Sequence, residues 1–211
     1  MGSDKQNAVG ERITPTSVKV ELLAVTPDAE RLIEEAGRTC YLSFDKMDDE
    51  SAKKFIKMIV KSGHHSVLEH ASATFRISGG SRSFTHQMVR HRLASFSQQS
   101  QRYVKEDDFK VIVPPSIREN SGALEVFNDL IEHSRRAYET LKGMDIRKED
   151  ARFVLPNAVE SEIVVSANFR EWRLIISLRR EKKAQWEIRA ICEEILKQLV
   201  ARAPTVFEDL L

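Results

Sequence analysis

The sequence predicts an α+β fold, a mixed sheet with packed helices in a single domain, from three observations. Residues 18–25, 71–77 and 161–167 alternate apolar and polar side chains with the period of half-buried strands. Longer stretches between and after them place apolar residues every three to four positions, the period of amphipathic helices. The chain has 211 residues, 41% of them apolar, enough to bury one sizeable core.

In chain order, the opening MGSDKQNAVGERITPTS reads as a tag or flexible tail over 1–17, leaving 18–211 as the folded domain. VKVELLAV, Val18 to Val25, is the first strand. Thr26 as N-cap and Pro27 at the first helical position open a helix to about Gly37. Asp48 to Ser62 carries helical periodicity through Ala52, Phe55, Ile56, Ile59 and Val60, and Gly63 ends it. Ala71 to Ile77 is a strand, Gly79-Gly80 a turn, and Ser81 to Arg92 a helix. Ser95 to Arg102 alternates again, which in a strand places Ser97, Gln99 and Gln101 on one face and Gln98, Ser100 and Arg102 on the other. Phe109 to Val113 is a strand stopped by Pro114-Pro115. Helices follow over Glu119 to Leu141, Arg147 to Phe153, Phe169 to Leu178 and Ala184 to Arg202, with the strand Ser161 to Ala167 among them.

Charge is distributed unevenly. Net charge is +1, yet His70 to Lys105 holds no Asp or Glu, where 32 acids in 211 residues predict roughly five. Six Lys or Arg and three His occupy that window, and five of the six cations are Arg. A planar fork of guanidinium donors suits phosphate. The plain alternative is a solvated basic face. Against it stand Phe96 and Tyr103 interleaved with the cations, and Ser and Gln where a simple surface carries Lys and Glu. The densest part is RHRLASFSQQSQRY, Arg90 to Tyr103.

Arg90-His91-Arg92, seven residues and then Ser100 resemble the signature of the flavin-dependent thymidylate synthases. Gly63-His64-His65-Ser66 with Glu69-His70, and His86-Gln87 ahead of Arg90, are similar to further elements of that family. So are Ala151-Arg152-Phe153-Val154-Leu155-Pro156, Asn168-Phe169-Arg170, Leu178-Arg179 and Ala184-Gln185-Trp186-Glu187-Ile188-Arg189, all in the family's order. The resemblance spans about residues 18 to 207. It implies methylation of dUMP to dTMP, with 5,10-methylenetetrahydrofolate as carbon donor and FAD reduced by NADPH as hydride source, in a cytoplasmic homotetramer whose active site is assembled between subunits.

The resemblance also implies roles for single residues. Arg179 matches the catalytic arginine that meets the uracil ring at N3, although its place beside Arg180 at a helix end would alone suggest C-terminal capping. Gln87, Arg90, Gln98, Gln99, Ser100, Gln101, Arg102 and Arg152 match the remaining dUMP contacts. Ser66, Arg90, His91, Arg92, Gln98, Asn168 and Arg170 match flavin contacts, and His64 the histidine near flavin and folate. Leu174 is a departure, standing one helical turn after Arg170 where the family usually has His or Asn. His65, His86 and His133 read as structural or surface residues.

Other chemistries find little support in the residues. There is no GxGxxG after a strand and no GxxxxGK[ST] phosphate loop, so a flavin dinucleotide would be held by side chains. The order H-H-x-x-x-E-H does not match the zinc helix H-E-x-x-H, and no metal site is expected. Cys192 falls on an apolar stripe with Ile188, Ile195, Leu196 and Leu199, and Cys40 reads as a packed loop residue, so neither offers an activated thiolate. No apolar run reaches membrane-spanning length, and a net charge of +1 gives no global attraction to nucleic acid. Two alternatives remain: a flavin- and nucleotide-binding protein of the same fold without methyl transfer, and a single-stranded nucleic-acid module built on Arg90 to Tyr103. A yellow purified protein argues against the second, and dTMP formation against the first.

Overall fold

The computed structural model describes residues 18–102 and 109–211; the expected tail over 1–17 and Tyr103 and Lys105 of the basic window lie outside them. It is a mixed helix-and-sheet fold built on four strands, β1 (Lys19–Val25), β2 (Ser72–Ser81), β3 (Ser95–Gln98) and β4 (Glu160–Asn168), in the order β1-β2-β4-β3. β2 and β4 run antiparallel. Phe169 N donates to Ala71 O (2.8 Å) at one end, and Arg82 N donates to Val159 O (2.9 Å) at the other. β4 buries Ser161, Ile163, Val165 and Ala167, every second residue, which is the strand period read from its sequence.

Two compact units are distinguishable, and their boundaries fall inside β2 and β4. The larger comprises Lys19–Ile77, Gln87–Ser97 and Val164–Leu211. Its helices are α1 (Ala29–Thr39), α2 (Ser51–Lys61), α7 (Phe169–Arg179), α8 (Trp186–Val200) and the short α9 (Pro204–Phe207). α7 starts where it does because Asn168 caps it, its Oδ1 accepting from Glu171 N (2.8 Å). The helix then buries Phe169, Trp172, Ile175 and Ile176 completely, each contributing roughly 1.5–3 kcal/mol. Trp172 stands edge-on to Phe75 (centroids 5.1 Å) and donates its indole N–H to Ala73 O (3.0 Å). Gln185 caps α8 through Ile188 N (3.1 Å), and Ile188, Cys192, Ile195, Leu196 and Leu199 form the fully buried stripe expected of it.

The smaller unit comprises Ser78–His86 and the described part of Gln98–Ile163. It holds most of α3 (Arg82–Met88), with α4 (Pro115–Arg118), the long α5 (Ser121–Gly143) and α6 (Lys148–Ala151). Phe109, Val111, Ile131 and Val159 form its core. Arg135 crosses that core, its guanidinium stacked 4.4 Å over the Phe109 ring and donating to Phe109 O (2.5 Å).

Local sequence signals fail where longer-range pairing competes with them. Thr26 does not cap α1. Its hydroxyl donates to Ser72 O (3.4 Å) and accepts from Ser72 N (2.9 Å), so it prolongs the β1–β2 pairing, and α1 begins at Ala29 after Asp28 in a left-handed conformation (φ 44°). Gly79-Gly80 is not a turn but part of β2, which continues to Ser81. Gly79 takes φ 78° within the strand, a conformation that glycine adopts without steric cost. At Gly80 a Cβ would stand 2.7 Å from the Phe84 ring, so the missing side chain makes room for that phenylalanine. The helix expected to reach Arg92 ends at Met88, and the strand expected to reach Arg102 ends at Gln98. Phe109 to Val113 forms no strand, only a bridge from Val111 to Val159. Cys40 is exposed rather than packed.

Candidate active site

Three turns after α3 shape the most distinctive cluster. Arg90 N bonds Gln87 O (3.3 Å), His91 N bonds Met88 O (3.2 Å), and Ala94 N bonds His91 O (3.0 Å). These turns leave Arg90 and Arg92 exposed and send His91 inward, where it is 6% exposed. Arg179, the last residue of α7, reaches it there. Arg179 Nε donates to His91 Nε2 (3.0 Å), and its Nη2 donates to Gln87 O (3.1 Å). The capping role suggested by its position is not the one it plays.

Burial, and secondarily the Arg179 cation, push the His91 pKa down from 6.5 to about 4, so the ring is neutral at physiological pH. A neutral imidazole has one donor and one acceptor nitrogen. With Nε2 accepting from Arg179, the proton sits on Nδ1, which faces Glu171 Oε1 at 3.7 Å. Glu171 is 4% exposed, and burial raises its pKa. Gln87 also donates from its side chain to Gln185 Oε1 (3.4 Å), which joins this turn to the start of α8.

The same unit carries a cleft of about 590 Å³ lined by Asn168, which caps α7, and by Arg170 and Leu174 of that helix, with Glu69 and Leu93. Arg170 and Leu174 share it as their one-turn spacing predicts. Leu174 is 48% exposed, and Arg170 pairs with Glu69 (2.5 Å). His64 and Ser66 are exposed on the 3₁₀ segment around them. From that segment the cleft takes His65 and Glu69 instead, so His65, read from sequence as structural, has a cleft-facing position while its Nε2 lies 3.3 Å from Val60 O. Its volume is that of a small-molecule site.

The smaller unit gathers the other expected residues. Arg102 Nη2 pairs with Glu149 Oε2 (3.1 Å), and Arg152 Nε donates to the Glu149 carbonyl (3.1 Å), so one residue of α6 brings both arginines together. Arg147 binds the same carboxylate (2.7 Å). Gln98 donates to Thr85 Oγ1 (2.8 Å) and Ser161 Oγ (3.2 Å), leaving its carbonyl as its remaining polar group. Ser100 Oγ accepts from Arg102 N (3.3 Å) in a turn, with Gln99 half-buried and Gln101 buried beside it.

Sequence reasoning missed Glu171 and Glu149, which belong to none of its motifs. It placed Glu69 within the Glu69-His70 element but gave no sign of its pairing with Arg170, 101 residues away. The two cysteines lie outside this chemistry. Cys192 is buried, with its thiol pushed up to about 12 chiefly by desolvation.

Comparison with known proteins gives these features a context. The family model described as thymidylate synthase complementing protein matches residues 21–205. The flavin-dependent thymidylate synthase of Geobacter sulfurreducens is 44% identical over 200 residues, covering 91% of this chain and 86% of that protein. The proteins of the same name from Clostridium tetani and Corynebacterium diphtheriae are 39% and 41% identical, covering 90% and 93% of this chain and 86% and 84% of their own length. A family match over nearly the whole chain, with relatives this similar at this coverage, shows that the chain belongs to the family of flavin-dependent thymidylate synthases.

Proposed function

We propose that the protein methylates dUMP to dTMP, using 5,10-methylenetetrahydrofolate as carbon donor and FAD reduced by NADPH as hydride source, in a homotetramer. The observation that carries this reading is the α7 arrangement: Arg179 held half-buried by His91 and Gln87, with the cap residue Asn168 and Arg170 and Leu174 of the same helix lining a cleft.

The cleft's donor set fits a flavin. Arg170 supplies a guanidinium for a phosphate or a polar ring edge, Asn168 retains its amide N–H groups after capping α7, and Leu93 and Leu174 offer apolar surface to a flat ring. The exposed Arg90 and Arg92, with Ser66 and His64, are further flavin-side candidates. His91 stands between Arg90 and Arg92 in sequence, but its ring is turned to Arg179 and Glu171. Gln98, Gln99, Ser100, Gln101, Arg102 and Arg152 are the dUMP-side candidates of the smaller unit. There Arg102 and Arg152 would exchange contacts at Glu149 for those of a nucleotide phosphate.

When bound, the flavin supplies the redox chemistry, carrying hydride equivalents from NADPH. The chain's own part is orientation and charge. Nε and one Nη2 hydrogen of Arg179 are used by His91 and Gln87, which leaves the Nη1 edge of a fixed guanidinium to meet the uracil ring. There it would stabilise negative charge developing on the pyrimidine as C5 becomes nucleophilic. A fixed cation already in place pays no reorganisation at the moment of reaction, which is why its positioning matters as much as its charge. The reading assigns no role to a thiolate: Cys192 is buried with its thiol pushed up to about 12, and Cys40 lies outside the cluster and the cleft described above.

The test is dTMP formation by the purified protein, followed chromatographically, with each of FAD, NADPH and methylenetetrahydrofolate omitted in turn. The reading predicts product only in the complete mixture or with flavin already bound. Flavin binding and dUMP binding without any dTMP would favour a protein of this fold that lacks methyl transfer.

A further inference from the structure

We propose that His91 is a positioning residue for Arg179, fixing the plane of its guanidinium through a neutral, buried imidazole whose tautomer is set by Glu171. This rests on the reading of Arg179 given above and departs from the flavin-contact role that the family likeness assigns to the His91 side chain. Both ring nitrogens face protein groups inside one compact unit. Nε2 accepts from Arg179 Nε at 3.0 Å, and Nδ1 faces the buried Glu171 carboxylate at 3.7 Å, an electrostatic approach rather than a hydrogen bond, so the ring is turned inward and away from the exposed Arg90 and Arg92.

The arrangement orders a group that is costly to order. Arginine loses the freedom of four side-chain torsions when fixed. Arg179 at the end of α7 projects from the last turn, where its own helix gives it no partner. The structure supplies two from the turn after α3: the Gln87 carbonyl at Nη2 and the imidazole at Nε. A carbonyl alone fixes one donor and allows rotation about it. A second acceptor at Nε, on the same edge of the guanidinium, fixes the plane.

A neutral acceptor is also the choice that preserves the cation. A carboxylate at the same place would form an ion pair and spend the charge that the uracil ring needs, whereas imidazole Nε2 accepts a hydrogen bond and leaves the charge whole. Glu171 stands on the far side of the ring, one hydrogen bond removed from Arg179, where its carboxylate favours the proton on Nδ1 and so keeps the Nε2 lone pair turned toward Arg179. Its own backbone is fixed by the Asn168 cap at the head of α7, so α7 carries both the held arginine and the group that orients its holder.

The experiment compares His91→Ala, His91→Gln, Arg179→Ala and the double variant His91→Ala/Arg179→Ala. Flavin content is read by absorbance after desalting, dUMP binding to the flavin-loaded protein by calorimetry, and turnover by dTMP formation. The proposal expects His91→Ala to retain flavin while dUMP affinity and kcat fall roughly tenfold or more, the size of a lost charge-assisted hydrogen bond. His91→Gln, whose amide oxygen can accept from Nε, should recover most of that loss. In the Arg179→Ala background, His91→Ala should weaken dUMP binding no further. Loss of flavin from His91→Ala and His91→Gln alike, with normal dUMP binding by the fraction that keeps it, would overturn the proposal in favour of a flavin contact. Equal losses of dUMP affinity with and without Arg179 would overturn it too. If Arg179→Ala itself binds and turns over dUMP as the unaltered protein does, the assignment of Arg179 fails. If Arg179→Ala is defective while His91→Ala is not, only the positioning role fails.

Discussion

A buried neutral histidine makes the stability of this protein depend on pH in a calculable way. His91 titrates at 6.5 when unfolded and at about 4 when folded. Between those values the unfolded chain binds the extra proton and the folded protein does not, so stability rises with pH across the window and is lost as pH falls through it. From neutral pH to about pH 4.5 the loss attributable to His91 is about 2.5 kcal/mol. Glu171 acts with the opposite sign. Its raised pKa means the folded protein holds a proton that the unfolded chain releases above 4.5, so its contribution falls as pH rises. Asp209, lowered chiefly by its hydrogen bonds from Arg173, shares the sign of His91 but acts below 3.8. The variant His91→Gln isolates the first effect because glutamine does not titrate. Urea unfolding of both proteins at several values from about pH 4.5 to 7.5, at one protein concentration, gives the difference in stability as a function of pH. The advantage of the histidine protein over the glutamine variant should grow by about 2.5 kcal/mol from the acid end to the neutral end and then level off. A difference that stays constant within about 0.5 kcal/mol would mean that His91 is not desolvated in the folded state, and the neutral-acceptor account of Arg179 would go with it.

Three further outcomes follow from particular contacts. Leu174→His places a hydrogen-bonding ring in the cleft beside Arg170 and should tighten FAD binding about two- to twelvefold; equal or weaker binding in a titration of apoprotein would mean that Leu174 already packs against the flavin or does not meet it. Gly80→Ala drives a methyl to 2.7 Å from the fully buried Phe84 ring and should cost about 1–3 kcal/mol in urea unfolding; an unchanged midpoint would show that the ring yields. The double substitution Cys40→Ser, Cys192→Ala should remain active, with a modest stability loss from the small cavity at Cys192; an inactive but folded and flavin-loaded variant would point to thiol chemistry.

The elements most legible in the sequence were those whose signals are local and mutually consistent. β4 alternates without interruption, and α7 and α8 fall where apolar periodicity places them, although their caps Asn168 and Gln185 were not read as such. Errors arose where a local signal met a distant partner. Thr26 had the chemistry of a cap and was taken by Ser72, and Gly79-Gly80 had the composition of a turn but supplies a positive φ within β2 and room for the Phe84 ring. Phe109 to Val113 had strand residues but only a single bridge at Val111 to use them. The same division holds for the site. Arg90-His91-Arg92 could be seen as a motif, but not that its central residue turns inward while its neighbours stay exposed, because that depends on three turn bonds and on Arg179 arriving from 88 residues away. Glu171 was invisible for a related reason: its neighbours along α7 announce a helix, and only burial against His91 gives it a role.

The most direct test of the account is release of tritium from dUMP labelled at C5, since attachment of the new carbon expels that hydrogen to solvent. Flavin-loaded protein, the Cys40→Ser/Cys192→Ala variant and Arg179→Ala would be assayed side by side with NADPH and methylenetetrahydrofolate. The account predicts release by the first two and a loss of at least about a hundredfold in the third, the scale of removing one preorganised transition-state donor. Undiminished release by Arg179→Ala, or release that disappears with the two thiols while Arg179 remains, would contradict it.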